Sequence, residues 1–156
     1  MDDRKSSGQW ERSERVLNDA EIGLLSEHAS ALPTLLTQYD IQPEDVLSPR
    51  SLDELFMEWN MDASSARASN PDLLAAIGIS LGNYLCVRFD MQWVELTDKQ
   101  GTTYAVRHKS KRIHCFPIES IKKRVGHSEY GFIVAIVESI SKALSDPSRR
   151  DEIADL

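Results

Sequence analysis

Residues 73–125 read LLAAIGISLGNYLCVRFDMQWVELTDKQGTTYAVRHKSKRIHCFPIESIKKRV, and this stretch decides the fold. Its first part carries apolar side chains three and four residues apart, which is the spacing of one helix face. Asn70 and Pro71 precede it as a helix-start signal. Gly78 and Gly82 share a face of this helix. Because a glycine inside a helix costs about 1 kcal/mol relative to alanine, we expect a sheet or helix to pack closely there.

Three strands are predicted after this helix. Two runs rich in β-prone residues, 91–97 and 102–108, flank a turn at 98–101 and predict a hairpin. A third strand is predicted over 112–116. Pro117 ends it, because proline cannot donate a hydrogen bond to a neighbouring strand.

Further helices are predicted on both sides of the strands. A short helix follows the third strand, and a longer amphipathic helix is predicted over 128–145. In the N-terminal part, one helix begins near Asn18. A second begins at Ser51, because Ser51 and Glu54 have the spacing of a capping box.

Together these elements predict an α+β fold. The predicted architecture is a small three-stranded antiparallel sheet packed by two helices, with an N-terminal helical subdomain. We divide the chain into a flexible N-terminus (1–16), a helical region (17–62), a linker (63–70), an α+β core domain (71–146) and a flexible tail (147–156).

An ordered set of residues within 73–144 carries a family resemblance. The set consists of Leu81, Gly82, Leu85, Trp93, Asp98, Gly101, Ala105, Val106, Phe116, Pro117, Lys123 and Arg124, followed by an apolar helix. In this order the residues resemble the bacterial family named domain of unknown function 3806. The resemblance implies a small helix-plus-sheet domain. It implies no activity, since none is assigned to the family.

Composition is typical of a soluble protein, with 156 residues, 41% hydrophobic side chains and a net charge of −7. We expect no transmembrane helix, because Asn83 and Arg88 interrupt the most apolar run and leave it too short to span. The polar N-terminus has no apolar signal core, so a cytoplasmic location is predicted. Cys86 and Cys115 are predicted to be buried free thiols. A disulfide between them, or a reactive thiol, remains an alternative.

Charge is distributed unevenly along the chain. Residues 86–126 carry nine Lys and Arg against four Asp and Glu, a net charge of +5, so the remainder carries −12. A basic face could bind nucleic acid or a nucleotide, with Trp93 and Tyr104 on neighbouring strands as stacking groups. The acidic net charge argues against this alternative. The basic residues are Arg107, Lys109, Lys111, Arg112, Lys122, Lys123 and Arg124.

Motifs for catalysis or metal binding are absent from the sequence. The histidines have no ligand spacing, and neither a zinc nor a calcium motif occurs, so we expect no metal and no cofactor. A nucleophile–base pair of Cys115 with His108 across the strands is conceivable. An uncharacterised enzyme therefore remains an open alternative.

The sequence favours a non-catalytic protein-binding module. In its more specific form this is an immunity or antitoxin-like protein that binds and blocks a toxin or enzyme, with electrostatic attraction speeding the encounter. No membrane partner is expected, and the oligomeric state is left open. The candidate contact residues are Asp53, Glu54, Glu58, Lys122, Lys123 and Arg124.

Overall fold

The structure, a computed structural model, describes residues 13–42, 48–146 and 154–155. Its helices bury apolar side chains in a shared core that runs from Leu17 to Ala143, so the N-terminal helices pack together with the C-terminal ones. The elements in chain order are β1 (Ser13–Val16), α1 (Asp19–His28), α2 (Leu32–Gln38), α3 (Pro49–Met61), α4 (Asn70–Phe89), β2 (Met91–Asp98), β3 (Gly101–His108), β4 (Ile113–Cys115), α5 (Pro117–Lys122), α6 (Phe132–Ser145) and β5 (Ala154–Asp155).

The sheet confirms the α+β fold but has more strands than predicted. Its order is β1-β2-β3-β4-β5; neighbours among the first four strands are antiparallel, and β5 is parallel to β4. The prediction of three strands was therefore wrong. It missed β1 because all four of its residues are exposed and have no apolar alternation. The remaining residues predicted to be flexible, at 1–12, 147–153 and 156, lie outside the described residues.

Ion pairs fasten β1 to the sheet. The guanidinium of Arg15 forms ion pairs with the carboxylates of Glu21 on α1, at 2.7 Å, and Glu95 on β2, at 3.3 Å. Glu14 bonds Arg107 on β3 at 2.6 Å, and its second oxygen lies 2.7 Å from Nε2 of His114. Ion pairs, most of them between residues distant in sequence, therefore hold β1 in the sheet without the apolar pattern that usually marks a strand.

The central hairpin is confirmed almost residue for residue. β2 pairs with β3 from Met91 opposite His108 to Asp98 opposite Gly101. The third strand is shorter than predicted and covers only β4, which pairs with β3 through Val106 and Arg107.

Helix α4 is the centre of the core. It is capped by Ser69, one residue before the predicted Asn70, and it ends at Asp90, which adopts a left-handed conformation with φ of 56°. Trp93 of β2, which is 1% exposed, lies directly against Gly82. A Cβ at Gly78 would lie 2.7 Å from Cγ1 of Ile118 on α5. The two glycines therefore bring the sheet and α5 onto α4, as their spacing predicted.

By length and composition, α4 could also cross a membrane. It has 20 residues and a mean hydropathy of 1.3 in its most apolar window, so the prediction that this run is too short was wrong. However, 56% of that window is buried inside the protein. A core helix passes the same test, and this property is weak evidence for a membrane span.

Two helix starts differ from the predicted ones. α3 begins with Ser48 as its cap and Pro49 in its first turn, three residues before the predicted start at Ser51. α6 follows Gly131, which has a φ of 81°, so this helix starts four residues after the predicted position. Glycine readily adopts this conformation. Residues 123–131 therefore form a loop between α5 and α6, and α6 begins only after Gly131.

The predicted linker at 63–70 is a packed loop. Trp59 donates its indole N–H to the Ala68 carbonyl at 2.9 Å. Arg67 donates to the Trp59 carbonyl at 2.9 Å and stacks on the Trp59 ring. These contacts join the loop to α3, so it does not separate two units.

Candidate functional site

Asp53, one of the predicted contact residues, is buried and binds the start of α6. It is 8% exposed, and its two carboxylate oxygens accept the backbone N–H groups of Ile133 and Val134 at 2.9 and 2.8 Å. Burial raises the pKa of Asp53, while the two N–H donors oppose that rise. Asp53 therefore caps α6 from α3. It cannot face a partner together with Glu54 and Glu58.

The predicted acidic surface is thereby reduced to two residues. Glu54 is exposed on α3, and Glu58, one turn further along, is half-buried. Asp53 comes directly before Glu54 in sequence but points into the core, because successive residues on a helix lie about 100° apart. The structure thus leaves Glu54 and Glu58 as the acidic candidates at the surface.

Most of the predicted basic face is engaged within the protein. Arg107 binds Glu14, Lys109 lies 3.1 Å from Asp90, Lys111 donates to the Leu144 carbonyl at 2.8 Å, and Arg124 binds Glu129 at 2.7 Å. Trp93 is buried, so its ring is not available for stacking on a base. The remaining members, Arg112, Lys122 and Lys123, are exposed.

A cleft between α5 and α6 brings together two of the predicted residues, Lys123 and Arg124. Its volume is about 510 Å³. Phe132 and Ile136 are nearly buried at its apolar side, whereas Ala135 is exposed. We call this feature the α5–α6 cleft; its lining includes Ser120, Lys123, Arg124, Glu129, Tyr130, Phe132, Ala135, Ile136 and Ser139.

Asn60 on α3 holds the loop that borders the cleft. Its amide N–H₂ donates to the His127 carbonyl at 2.9 Å and to the Tyr130 hydroxyl at 3.2 Å, and its amide oxygen accepts the Gly126 N–H at 2.9 Å. One side chain therefore fixes three points of the loop. Together with the cap that Asp53 provides, these bonds make α3 the support of the cleft.

Arg124 forms one wall of the cleft. Its NH1 group donates to the Ser120 carbonyl at 2.7 Å, and its guanidinium carbon lies 4.5 Å from the centre of the Phe132 ring. Its Nε donates to Glu129 at 2.7 Å. Lys123, the next residue towards α5, is exposed, and among the residues that the structure describes no carboxylate pairs with it. The cleft thus combines an apolar side with a charged rim.

The groups considered for catalysis are not arranged as a nucleophile–base pair. Cys115 is fully buried opposite Val106, and burial raises its pKa to about 12. His108 lies opposite Met91 and accepts backbone N–H groups at Nδ1. Burial also raises the pKa of Cys86, to about 11, so neither thiol is readily ionised. Within residues 13–42, 48–146 and 154–155, no group of three or more His, Cys, Asp or Glu could hold a metal.

Most of the cleft lining was not predicted from the sequence: of its ten residues, only Lys123 and Arg124 were predicted contact residues. The missed residues from 129 to 139 were predicted to lie in one continuous helix from 128, where nothing marks them as a site. The signal that could have found them is the pair Gly126 and Gly131, both with positive φ, because two glycines five apart indicate a loop between two helices.

A match to a known protein family covers all of the cleft lining except Ser139. The model of the family described as Domain of unknown function (DUF3806) matches residues 53–136, more than half of the chain. The match starts at Asp53 in α3, earlier than the resemblance at 73–144, which is consistent with α3 capping and supporting α6. No curated protein and no solved structure matches the chain. The chain belongs to the DUF3806 family.

Proposed function

We propose that this protein is a non-catalytic module that binds a protein partner through the α5–α6 cleft. The observation that supports this proposal is the combination in one cleft of an apolar side, formed by Phe132 and Ile136, with the exposed charge of Lys123. Protein interfaces commonly have this anatomy, an apolar centre with a polar rim.

The support of the cleft also favours binding. Asp53 and Asn60 fix the loop and the start of α6 from behind, so the cleft is formed before a partner arrives. A surface that is already ordered loses less conformational entropy on association. Cys115, in contrast, is buried and Cys86 is half-buried, and burial raises the pKa of both thiols, which supports a role without covalent chemistry.

In its more specific form, the proposal is that the partner is a toxin or another enzyme and that binding covers its active site. The surface charge of the protein supports rapid association with a charged partner. Once a partner is identified, an assay of its activity with increasing amounts of this protein tests the specific form. Full inhibition at one equivalent supports it, whereas unchanged activity leaves a binding module without a blocking role.

Two exposed serines on α6 provide a matched test of the cleft. Ser139 lines the cleft and Ser141 does not, and both side chains are exposed. We would purify tagged wild-type protein, Ser139→Arg and Ser141→Arg from the source cells at low salt. The expected result is a stoichiometric partner protein with wild type and Ser141→Arg that is lost with Ser139→Arg. Equal recovery with all three, or nucleic acid that salt removes, would contradict the proposal.

A further inference from the structure

We propose that the partner presents an acidic side chain next to an apolar one, and that Glu129 occupies the acidic position while the protein is unbound. This inference rests on the proposed function of the α5–α6 cleft. It assigns the chemistry of the partner segment, and it makes Glu129 an internal competitor of that segment.

The guanidinium of Arg124 is held in place by the protein itself. The Ser120 carbonyl accepts one N–H at 2.7 Å, and the Phe132 ring lies beneath the guanidinium at 4.5 Å. Both contacts remain when Glu129 leaves. A guanidinium carries more N–H donors than these bonds use, in a fork that matches a carboxylate. Arg124 is therefore an anion-binding group that is already oriented in the cleft wall.

Glu129 is much more exposed than its partner. Its side chain is 60% exposed, against 26% for Arg124. It lies in the loop between Gly126 and Gly131, whose φ values are 83° and 81°. An exposed ion pair contributes only about 0.2–1 kcal/mol. An incoming carboxylate can consequently replace Glu129 at small cost.

Charge and shape at the cleft favour an acidic and apolar segment. Lys122 and Lys123 are exposed beside Arg124, and the described carboxylates make no ion pair with either lysine. Glu129 is the acidic residue of the cleft lining. The apolar lining of the cleft consists of the exposed Ala135 and the nearly buried Phe132 and Ile136, and it can contact an aliphatic or aromatic side chain. The complementary occupant thus carries a negative charge next to an apolar group.

Short labelled peptides test this assignment directly. The probes are fluorescein-labelled peptides with one Leu flanked by Glu, and matched peptides with Gln or Lys in place of Glu, measured by fluorescence anisotropy. We expect the Glu peptide to bind about fivefold more tightly than the Gln peptide and the Lys peptide to bind most weakly. Ser139→Glu, which adds a repelling charge within the cleft, should abolish binding, while Ser141→Glu outside it should not.

Two pairs of variants test the roles of the charges. Glu129→Gln should tighten binding of the Glu peptide by about threefold, whereas Glu138→Gln, an exposed change on α6 outside the cleft lining, should not. Lys123→Glu should weaken binding by about fivefold, whereas Lys99→Glu in the hairpin turn should not. Salt should reduce binding of the Glu peptide more than that of the Gln peptide.

The inference is overturned if no peptide binds, if Glu and Lys peptides bind equally, or if Glu129→Gln weakens binding. Capture of the natural partner distinguishes this failure from that of the proposed function. If Ser139→Arg abolishes partner capture while the peptides show no preference for acid, the cleft binds a protein and only its assigned chemistry is wrong. If Ser139→Arg leaves partner capture intact, both proposals fail.

Discussion

The contact of α4 with the sheet and the α5–α6 cleft are built in opposite ways. In the first, Gly82 lies against the buried ring of Trp93, and no additional atom fits between them. In the second, bonds from Asn60 and Asp53 hold a loop whose charged side chains are partly exposed. Close apolar packing resists any change in volume, whereas exposed positions tolerate substitution. Stability should therefore depend on the first region, and binding on the second.

The largest loss of stability is expected at Gly82. A Cβ there would overlap the indole ring of Trp93, whose N–H is fixed by Asn83 at 2.9 Å. We expect Gly82→Ala to lower the free energy of unfolding by about 3 kcal/mol, since overpacking outweighs the better helix propensity of alanine. Urea unfolding followed by tryptophan fluorescence measures this change.

Gly23 supplies the matched control for that substitution. It lies in α1, and no atom lies within 4 Å of the position of an added Cβ. Gly23→Ala should therefore stabilise the protein, by up to about 1 kcal/mol. Equal effects at the two glycines would show that the contact with Trp93 does not control stability.

Asp53 supports the cleft from a buried position, and its loss should have the next largest effect on stability. Asp53→Ala removes the cap of α6 and leaves the N–H groups of Ile133 and Val134 without their acceptor. We expect a loss of about 2 kcal/mol in urea unfolding. Glu54→Ala, an exposed change one residue away, should alter stability by less than about 0.5 kcal/mol. A similar loss with both variants would exclude the capping role.

A smaller, pH-dependent effect is expected at β1. Burial raises the pKa of Glu14, but the hydrogen bond with His114 and the charge of Arg107 outweigh it, so this pKa lies below its ordinary value of 4.5. A lowered pKa stabilises the folded protein above that ordinary value, and this stabilisation is lost as the pH falls through the folded-state pKa. Below about pH 4.5, wild type should therefore lose more stability than Glu14→Gln does.

Unfolding in urea at a series of pH values measures this difference. Glu27→Gln is the control, because Glu27 is exposed on α1 and its side chain bonds none of the residues that the structure describes. Wild type should be more stable than Glu14→Gln near neutral pH and should converge with it in acid, whereas the Glu27→Gln curve should run parallel to that of wild type. Parallel curves for wild type and Glu14→Gln would show that the pair with His114 and Arg107 does not stabilise β1.

Sequence patterns predicted the packed region much better than the cleft. The glycine face of α4 and the β2–β3 hairpin depend on residues that are close in sequence, and both were predicted. The cap from Asp53 to Ile133 spans 80 residues, and the bond between Glu14 and His114 spans 100. Such long-range polar contacts leave no periodic signal in the sequence. The start of α6 was misplaced for a local reason, since the left-handed Gly131 was read as part of the helix.

Site-specific photo-crosslinking tests the central claim most directly. A photoreactive phenylalanine analogue would replace Ser139 in the cleft or Ser141 outside it, in protein produced in the source cells. Both variants should retain wild-type stability, because both positions are exposed. We expect one crosslinked partner protein from position 139 and none from position 141. Equal crosslinking from both positions, or a partner captured only from position 141, would contradict a binding site in the α5–α6 cleft.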